Sequence, residues 1–365
     1  MAKNDIQLRR KRYFKLSSEI AQMDNTQLHS LFEASESNSG WGRNHAVDLG
    51  KSKVFVKRVP VTDLEYENMF STKNLYDLPT YYNYGVGSAG FGVFRELVAH
   101  IKTTNWVLEG AIETFPLMYH YRIIPFSGER KDVDMERHKG YVEYWGGNEN
   151  IGKYMLDRAN ANYELVLFLE YIPHTLQPWL LENLNKLNRI LDDLRTTVDF
   201  LRKQGVIHFD AHFYNVVTDG ERAYLTDFGL VLDKSFALTI EEASFFKQHT
   251  FYDYGEVLSC INFLILSAYE ARTEDDKHTL KEKYGITEDV QHHELVPILL
   301  NNIEEVHADG IMKLHADCVA SVIQYRSVMA LMHDFFSNIS RNNQKDTKFH
   351  HAKLRRRLKE TGFLR

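Results

Sequence analysis

Two acidic residues and an asparagine are the side chains in this sequence best suited to chemistry. Asp210 lies two positions after His208, and Asn215 follows five positions later. Asp227 then begins the run Asp227-Phe228-Gly229. A carboxylate can take the proton of a hydroxyl group, and carboxylate and amide oxygens are ligands that suit Mg²⁺. The pattern therefore predicts the transfer of a phosphoryl group, for which a protein supplies a base and a metal site.

Short apolar runs flank these polar residues and predict the elements that position them. Val206-Ile207 and Val216-Val217 predict buried strands, and Ala223-Tyr224-Leu225 predicts a return strand after a tight turn at Asp219-Gly220. Upstream of them, residues 181–203 predict an amphipathic helix, because leucine, isoleucine and valine recur there at helical spacing. The polar residues are therefore expected in loops at strand ends.

Three further elements are expected from apolar patterning. The run from Glu164 to Pro173 is almost continuously apolar, which predicts a buried strand. Alternating apolar residues at 53–59 predict a strand that carries Lys57. Residues 251–266 are strongly apolar and predict one buried central helix.

These motifs, in this order, resemble those of the protein-kinase-like superfamily, which includes eukaryotic-type protein kinases and the aminoglycoside and choline phosphotransferases. The resemblance extends over residues 27–340. It implies an α+β fold of two lobes, with a small antiparallel sheet in the N-lobe, a mainly helical C-lobe and ATP with Mg²⁺ in the cleft. It also implies that Asp210 acts as the base and that Asn215 and Asp227 bind Mg²⁺.

The same resemblance implies which residues bind ATP. Lys57 is similar to the lysine that contacts the phosphates. The run Leu-Glu-Tyr-Ile-Pro is similar to the hinge, in which backbone groups of Glu170 and Ile172 would bind the adenine edge. Gly40 and Gly42 would lie in the loop that covers the phosphates, although the full glycine pattern of that loop is missing.

The glycine loop is expected to join two strands, at residues 28–34 and 45–49. Downstream of them, a glutamate on a helix should orient Lys57. Glu96 is favoured because its helix-forming run is followed by a predicted strand at 116–124. Glu65 is the competing candidate, but its sequence context also predicts a helix-capping role.

Two insertions are expected, and the first of them follows from the choice of Glu96. Residues 62–90 would precede the glutamate helix, and residues 126–161 would form a polar segment between two strands of the small lobe. A loop as long as the second insertion is uncommon inside a domain. It could cap the nucleotide, contact a partner, or be a variable surface excursion.

Departures from the protein-kinase pattern leave the phosphate acceptor open. His212 stands where serine/threonine kinases have a lysine, which is more similar to small-molecule phosphotransferases. Phe209 replaces the arginine that would bind a phosphorylated activation loop, so control by that route is not expected. In contrast, Asp227-Phe228-Gly229-Leu230 and the hinge run are similar to those of protein kinases.

Composition is that of a globular protein with a large aromatic core. The 365 residues include 22 Phe and 20 Tyr and carry a net charge of −6, which argues against nucleic-acid binding as the main function. Cys260 and Cys318 lie in apolar helical contexts and are expected to be buried thiols. No apolar run is long enough to span a bilayer, and we expect a cytoplasmic protein.

The expected layout has four parts, namely a basic helical extension (1–26), the N-lobe (27–172), the helical C-lobe (173–345) and a basic C-terminal helix (346–365). The leading hypothesis is a kinase that transfers the γ-phosphate of ATP to a hydroxyl group of a small molecule or a protein. A catalytically inactive pseudokinase that binds nucleotide or acts as a scaffold is the alternative. A third possibility is transfer of the AMP moiety of ATP.

Overall fold

The computed structural model describes residues 2–33, 43–127, 132–287, 289–341 and 344–364. In chain order, its helices are α1 (Ala2–Ala21), α2 (Asn25–Glu33), α3 (Asp63–Glu67), α4 (Val93–Glu109), α5 (Met135–Tyr144), α6 (Glu149–Ala159), α7 (Leu176–Glu182), α8 (Leu187–Gln204), α9 (Ile240–Gln248), α10 (Tyr252–Ser259), α11 (Ile261–Glu270), α12 (Glu274–Tyr284), α13 (His292–Asn301), α14 (Ile303–Ala308), α15 (Ala316–Ile339) and α16 (His351–Glu360). Its strands are β1 (Arg43–Leu49), β2 (Ser52–Val61), β3 (Met118–Pro125), β4 (Tyr163–Glu170), β5 (His174–Thr175), β6 (Val206–Ile207), β7 (Val216–Thr218), β8 (Ala223–Leu225) and β9 (Leu232–Asp233). Short 3₁₀ turns lie at Thr80–Tyr84, Leu184–Lys186 and Phe213–Asn215.

The chain divides into two compact units. The first unit consists of Met1–Pro173 together with Tyr224–Phe246, and the second consists of His174–Ala223 together with Lys247–Arg365. The first unit holds an antiparallel sheet and the rest of the molecule is mostly helical, which confirms the predicted α+β class. The segment that contains Asp227 belongs to the first unit, whereas the sequence analysis assigned it to the C-lobe.

The sheet of the first unit has the strand order β1-β2-β4-β3, with antiparallel neighbours. Residues of α4 pack on one face of it, where they form a core with Val59 of β2 and Leu167 of β4. On the other face, the ring of Phe32 from α2 stacks on Phe168. Because the central strand β4 is covered on both sides, it is apolar along most of its length, as the sequence analysis predicted.

The prediction of a strand at residues 28–34 was wrong, because the described part of this run lies in α2. Leu28, Leu31 and Phe32 have the i, i+3, i+4 spacing of a helical face. The side chains of Asp24 and Gln27 also accept each other's backbone N–H, which starts the helix with a reciprocal cap. The expected glycine loop, with Gly40 and Gly42, lies outside the described residues.

The two predicted insertions contain helices. The first holds α3 and a 3₁₀ turn and ends three residues before the start of α4. The described part of the second holds α5 and α6 in place of the predicted loop, and each helix begins at a capping side chain, Asp134 for α5 and Asn148 for α6.

The second unit is built around α10, which packs against α15 and α8. The predicted helix at 181–203 begins later than expected, at Leu187, because the chain first turns at Asn183 after α7. The predicted helix at 251–266 is divided at Cys260 into α10 and α11. At that point the backbone tightens, and Phe263 donates to the carbonyl of Cys260 three residues earlier.

Both cysteines are buried and unpaired, as predicted. Within the described ranges, we find no helix that combines the length and the apolar character needed to cross a membrane.

Candidate active site

Lys57 lies between two carboxylates in the first unit. Its Nζ atom is 2.7 Å from Oε1 of Glu96 and 2.8 Å from Oδ1 of Asp227. The Lys57 side chain is only 14% exposed, whereas that of Asp227 is 42% exposed. The cluster therefore has a buried side at Glu96 and an open side at Asp227.

Local structure explains why Lys57 meets Glu96. Side chains alternate along β2, so Lys57 shares a face with Val59 and Val61, which pack against α4. Glu96 lies in the first turn of α4. Of the two candidate glutamates, Glu96 is thus the one that forms the ion pair with Lys57.

Glu65 has a different set of partners. Its carboxylate accepts hydrogen bonds from the backbone N–H and the hydroxyl group of Thr62. The Thr62 hydroxyl oxygen in turn accepts the N–H of Glu65, which completes the capping box of α3. The Glu65 carboxylate also accepts the N–H of Val93, the first residue of α4. Glu65 therefore caps two helices, and this role explains its burial.

Lys57 and Glu96 hold each other in their charged forms. Burial alone would lower the pKa of Lys57, but the Asp227 and Glu96 carboxylates outweigh it, and the pKa is raised. Burial alone would raise the pKa of Glu96, but Lys57 outweighs it with help from His100, and the pKa falls to about 2. At neutral pH the site therefore contains an ammonium group and an ionised glutamate.

The backbone at Asp227 is left-handed, with φ of 61°. A residue with a Cβ atom pays about 1–2 kcal/mol for this conformation, and such strain is concentrated at functional sites. The next residue anchors the turn, because the buried ring of Phe228 meets His100 edge-on at 5.0 Å and lies 6.1 Å from Phe115.

Residues 83–91 hold the backbone after Asp227. Phe91 donates its N–H to the carbonyl of Gly229 at 3.3 Å, and the side chain of Asn83 donates to the carbonyl of Leu230 at 2.9 Å. Gly90 approaches so closely that a Cβ atom built on it would lie 2.7 Å from that Gly229 oxygen. The end of the first insertion is thus a support for the Asp-Phe-Gly turn.

Two residues of α4 form ion pairs with the segment that follows Leu230. Arg95 and Glu242 form an ion pair of 2.8 Å with both side chains 1% exposed. Lys102 forms an ion pair with Asp233. Together with residues 83–91, these pairs fix the segment from Asp227 to Glu242 within the first unit.

The predicted catalytic loop lies in the second unit. The side-chain amide of Asn215 donates to Oδ2 of Asp210 at 2.7 Å and to its backbone carbonyl at 3.0 Å. Because both bonds use Nδ2, the Oδ1 atom of Asn215 is the one that a cation could take. His212 lies with Nε2 3.4 Å from the other carboxylate oxygen of Asp210.

Two acidic residues of α10 position this loop, and the sequence analysis missed both. Asp253 accepts the N–H groups of His208 and Phe209 at 2.8 and 2.9 Å, and Glu256 accepts the N–H of Ala211 at 2.7 Å. Phe209, between the bonded residues, has a left-handed backbone with φ of 64°. An Asp and a Glu three positions apart in an apolar helix were the signal that could have identified them.

Burial shifts the protonation of these two acids. It raises the pKa of Asp253 to about 6, although the two N–H donors oppose the shift. It also raises the pKa of Glu256 well above its ordinary value, with further contributions from Asp210 and Asp253. The positioning of Asp210 is therefore linked to pH.

Of the two predicted hinge residues, Glu170 is the last residue of β4 and Ile172 lies two positions after it. The N–H of Glu170 donates to the carbonyl of Leu117 at 2.7 Å, and its carboxylate is buried against Arg9. Ile172 is half-buried. The sequence analysis assigned backbone groups of both residues to adenine binding.

The structure thus places the predicted site residues in two groups. Lys57, Glu96, Asp227 and the hinge belong to the first unit, whereas Asp210 and Asn215 belong to the second. In the part of the chain that the structure describes, no three His, Cys, Asp or Glu side chains form a metal-binding cluster.

Comparison with known sequences gives no family assignment. No protein-family model matches this chain, and no curated protein matches it at a significant level.

Proposed function

We propose that this chain is an ATP- and Mg²⁺-dependent phosphotransferase with a two-lobed, protein-kinase-like fold. It would transfer the γ-phosphate of ATP to a hydroxyl group of a small molecule or a protein. The observation that carries the proposal is the position of Lys57 between Glu96 and Asp227. A strand lysine paired with a helix glutamate, beside the aspartate of an Asp-Phe-Gly run, is the arrangement that kinases need for phosphate binding.

A purely structural ion pair accounts poorly for this arrangement. Lys57 already has a buried partner in Glu96, so the second carboxylate adds negative charge without being needed for neutrality. Asp227 is also partly exposed and has a strained backbone. Strain of this kind is kept where a side chain must point at a ligand.

The proposed roles follow from the donor atoms. Both contacts of Asp227 use Oδ1, with Lys57 and with the N–H of Gly229, so a cation could take Oδ2. We assign Mg²⁺ to this atom, and Oδ1 is the atom through which Asn215 could bind a cation. The bound metal would neutralise charge on the phosphates, while Lys57 would bind their oxygens and Asp210 would take the acceptor's proton.

A second candidate function is nucleotide binding without turnover. It is favoured by α2, which occupies sequence where the first strand of the glycine-loop hairpin was expected. A kinase needs that loop to cover the phosphates. A protein in which no loop covers the phosphates could bind nucleotide as a scaffold and transfer phosphate slowly or not at all.

The test is transfer of labelled γ-phosphate from Mg-ATP, with products separated both on a protein gel and by chromatography of small molecules. Asp210→Asn should lower transfer about 10²- to 10⁴-fold, since it removes the base. Lys57→Met should lower it about 10²-fold or more. Lys51→Met is the matched control, because Lys51 is exposed in the turn before β2 and its loss should leave transfer unchanged.

The outcomes separate the candidates. Labelled protein would identify a protein acceptor, and a labelled metabolite would identify a small-molecule acceptor. Tight binding of Mg-ATP without any labelled product would favour the scaffold. No binding of Mg-ATP, or equal transfer by wild type and Asp210→Asn, would refute the proposed function.

A further inference from the structure

One side chain of the N-terminal helix α1 is buried in the first unit. Arg9 is 5% exposed, although it belongs to the basic run Arg9-Arg10-Lys11-Arg12. Its Nε and Nη2 atoms lie 3.1 and 2.7 Å from the carboxylate oxygens of Glu170. Nη1 donates to the carbonyl of Glu113 at 2.8 Å, and Nη2 donates to that of Phe115 at 2.6 Å. All three nitrogens of the guanidinium group thus donate hydrogen bonds here.

Glu170 connects these contacts to the end of β4. Its carboxylate also accepts the N–H of Leu117 at 3.1 Å, and its own N–H donates to the carbonyl of Leu117. The Arg9 guanidinium lies over the ring of Tyr224 as well, at 5.3 Å. Arg9 therefore connects α1 to three other parts of the first unit. These are residues 113–117, the last residue of β4, and Tyr224, which lies three residues before Asp227.

A buried ion pair of this kind costs free energy to desolvate and contributes little net stability compared with apolar residues. What it does supply is a fixed geometry, because the planar fork of arginine matches a carboxylate in one orientation. The geometry that it fixes here is that of Glu170, one of the two hinge residues whose backbone groups were assigned above to the adenine edge. Because the N–H of Glu170 donates to Leu117, its carbonyl is the group that we assign to the base. The ion pair between Arg9 and Glu170 is therefore better explained by the orientation that it gives Glu170 than by a contribution to stability.

We propose that Arg9 is a positioning residue for the nucleotide site, and that α1 is consequently part of the adenine-binding apparatus. This inference rests on the proposed function. Arg9 does not touch the nucleotide in this role. It holds Glu170 and the residues after it in the orientation that binds the base.

The experiment compares two ligands that differ only in the part that the hinge would recognise. Dissociation constants of the full chain are measured for Mg-ATP and for Mg-tripolyphosphate, which has no base. Arg9→Met should weaken binding of Mg-ATP about tenfold, equivalent to about 1.4 kcal/mol, and leave Mg-tripolyphosphate unchanged. Lys11→Met is the matched control, because it removes an exposed positive charge from the same helix and should affect neither ligand.

A double variant and a conservative variant control for the possibility that Arg9→Met does not fold. Arg9→Met leaves the Glu170 carboxylate buried without its cation, which can unfold the protein. Arg9→Met combined with Glu170→Gln removes that charge and still detaches α1, so it should fold and show the same selective loss of Mg-ATP binding. Arg9→Lys keeps the charge but not the fork, so it should recover binding only in part.

The dissociation constants test the role of Arg9 and the proposed function separately. An unchanged dissociation constant for Mg-ATP in the folded variants would overturn the role of Arg9. Equal weakening of both ligands would also overturn it, because a general loss of structure acts on phosphate and base alike. Wild type that binds Mg-ATP without phosphate transfer would refute the proposed function and leave the role of Arg9 measurable. Wild type that binds no Mg-ATP would refute both.

Discussion

Gly90 should be intolerant of even one methyl group. Its φ is +97°, and an added Cβ atom would lie 2.7 Å from the carbonyl oxygen of Gly229. The backbone conformation costs an L-residue about 1–2 kcal/mol. The overlap with a backbone oxygen adds about 1–3 kcal/mol, as for other overpacked sites. We therefore expect Gly90→Ala to lower the free energy of unfolding by about 2–5 kcal/mol.

Gly87→Ala separates the two contributions. Gly87 has a similar φ of +93°, but the nearest atom to its added Cβ is a ring carbon of Tyr144 at 3.9 Å, which is ordinary contact. Its loss of stability should be about 1–2 kcal/mol, from backbone strain alone. Any effect of alanine on the unfolded chain is common to both variants and cancels.

The two variants are compared by urea unfolding and by phosphate transfer from Mg-ATP. Because Gly229 follows Asp227 by two residues, a shift of its carbonyl should also displace the Asp227 carboxylate. Small displacements of catalytic groups are costly, and we expect Gly90→Ala to lose about tenfold more activity than Gly87→Ala. If the two variants match in both stability and activity, the close contact between Gly90 and Gly229 does not support the site.

Two further predictions concern charged groups. Arg95→Met should lower the free energy of unfolding by about 3–5 kcal/mol, because it leaves Glu242 buried without its cation, and adding Glu242→Gln should recover much of the loss in urea unfolding. The pKa of Asp253 is raised to about 6, so its contribution to stability is complete below about pH 4 and is lost as the pH rises through 6. Unfolding midpoints from pH 4 to 7 should therefore fall more steeply in wild type than in Asp253→Asn, and parallel curves would contradict this assignment.

Strong apolar patterns in the sequence were sufficient to predict the elements that hold the lysine cluster. The buried strand β4 and the alternating strand β2 were both expected, since each pattern has few competing explanations. The order of helix and strand also favoured Glu96 over Glu65 as the partner of Lys57. The capping sequence at Thr62 also correctly indicated that Glu65 caps a helix.

Errors arose where local signals competed or where partners were distant in sequence. The run at 28–34 contains a helical face and a cap, but the expectation of a hairpin outweighed them. The capping residues Asp134 and Asn148 would have indicated helices in the second insertion. In contrast, the pairing of Arg9 with Glu170 joins residues 161 positions apart, and no local pattern encodes such a contact.

The discontinuity of the first unit has a consequence for biosynthesis. Residues 1–173 leave the ribosome before Tyr224–Phe246, and at about 5–20 residues per second the intervening segment takes roughly 3 to 10 seconds to make. During that interval the nascent unit lacks Asp227 beside Lys57 and Glu242 beside Arg95. The cluster of Lys57, Glu96 and Asp227 can therefore be completed only after Asp210 and Asn215 have been synthesised, so a translation product that ends before Asp227 would lack the complete cluster.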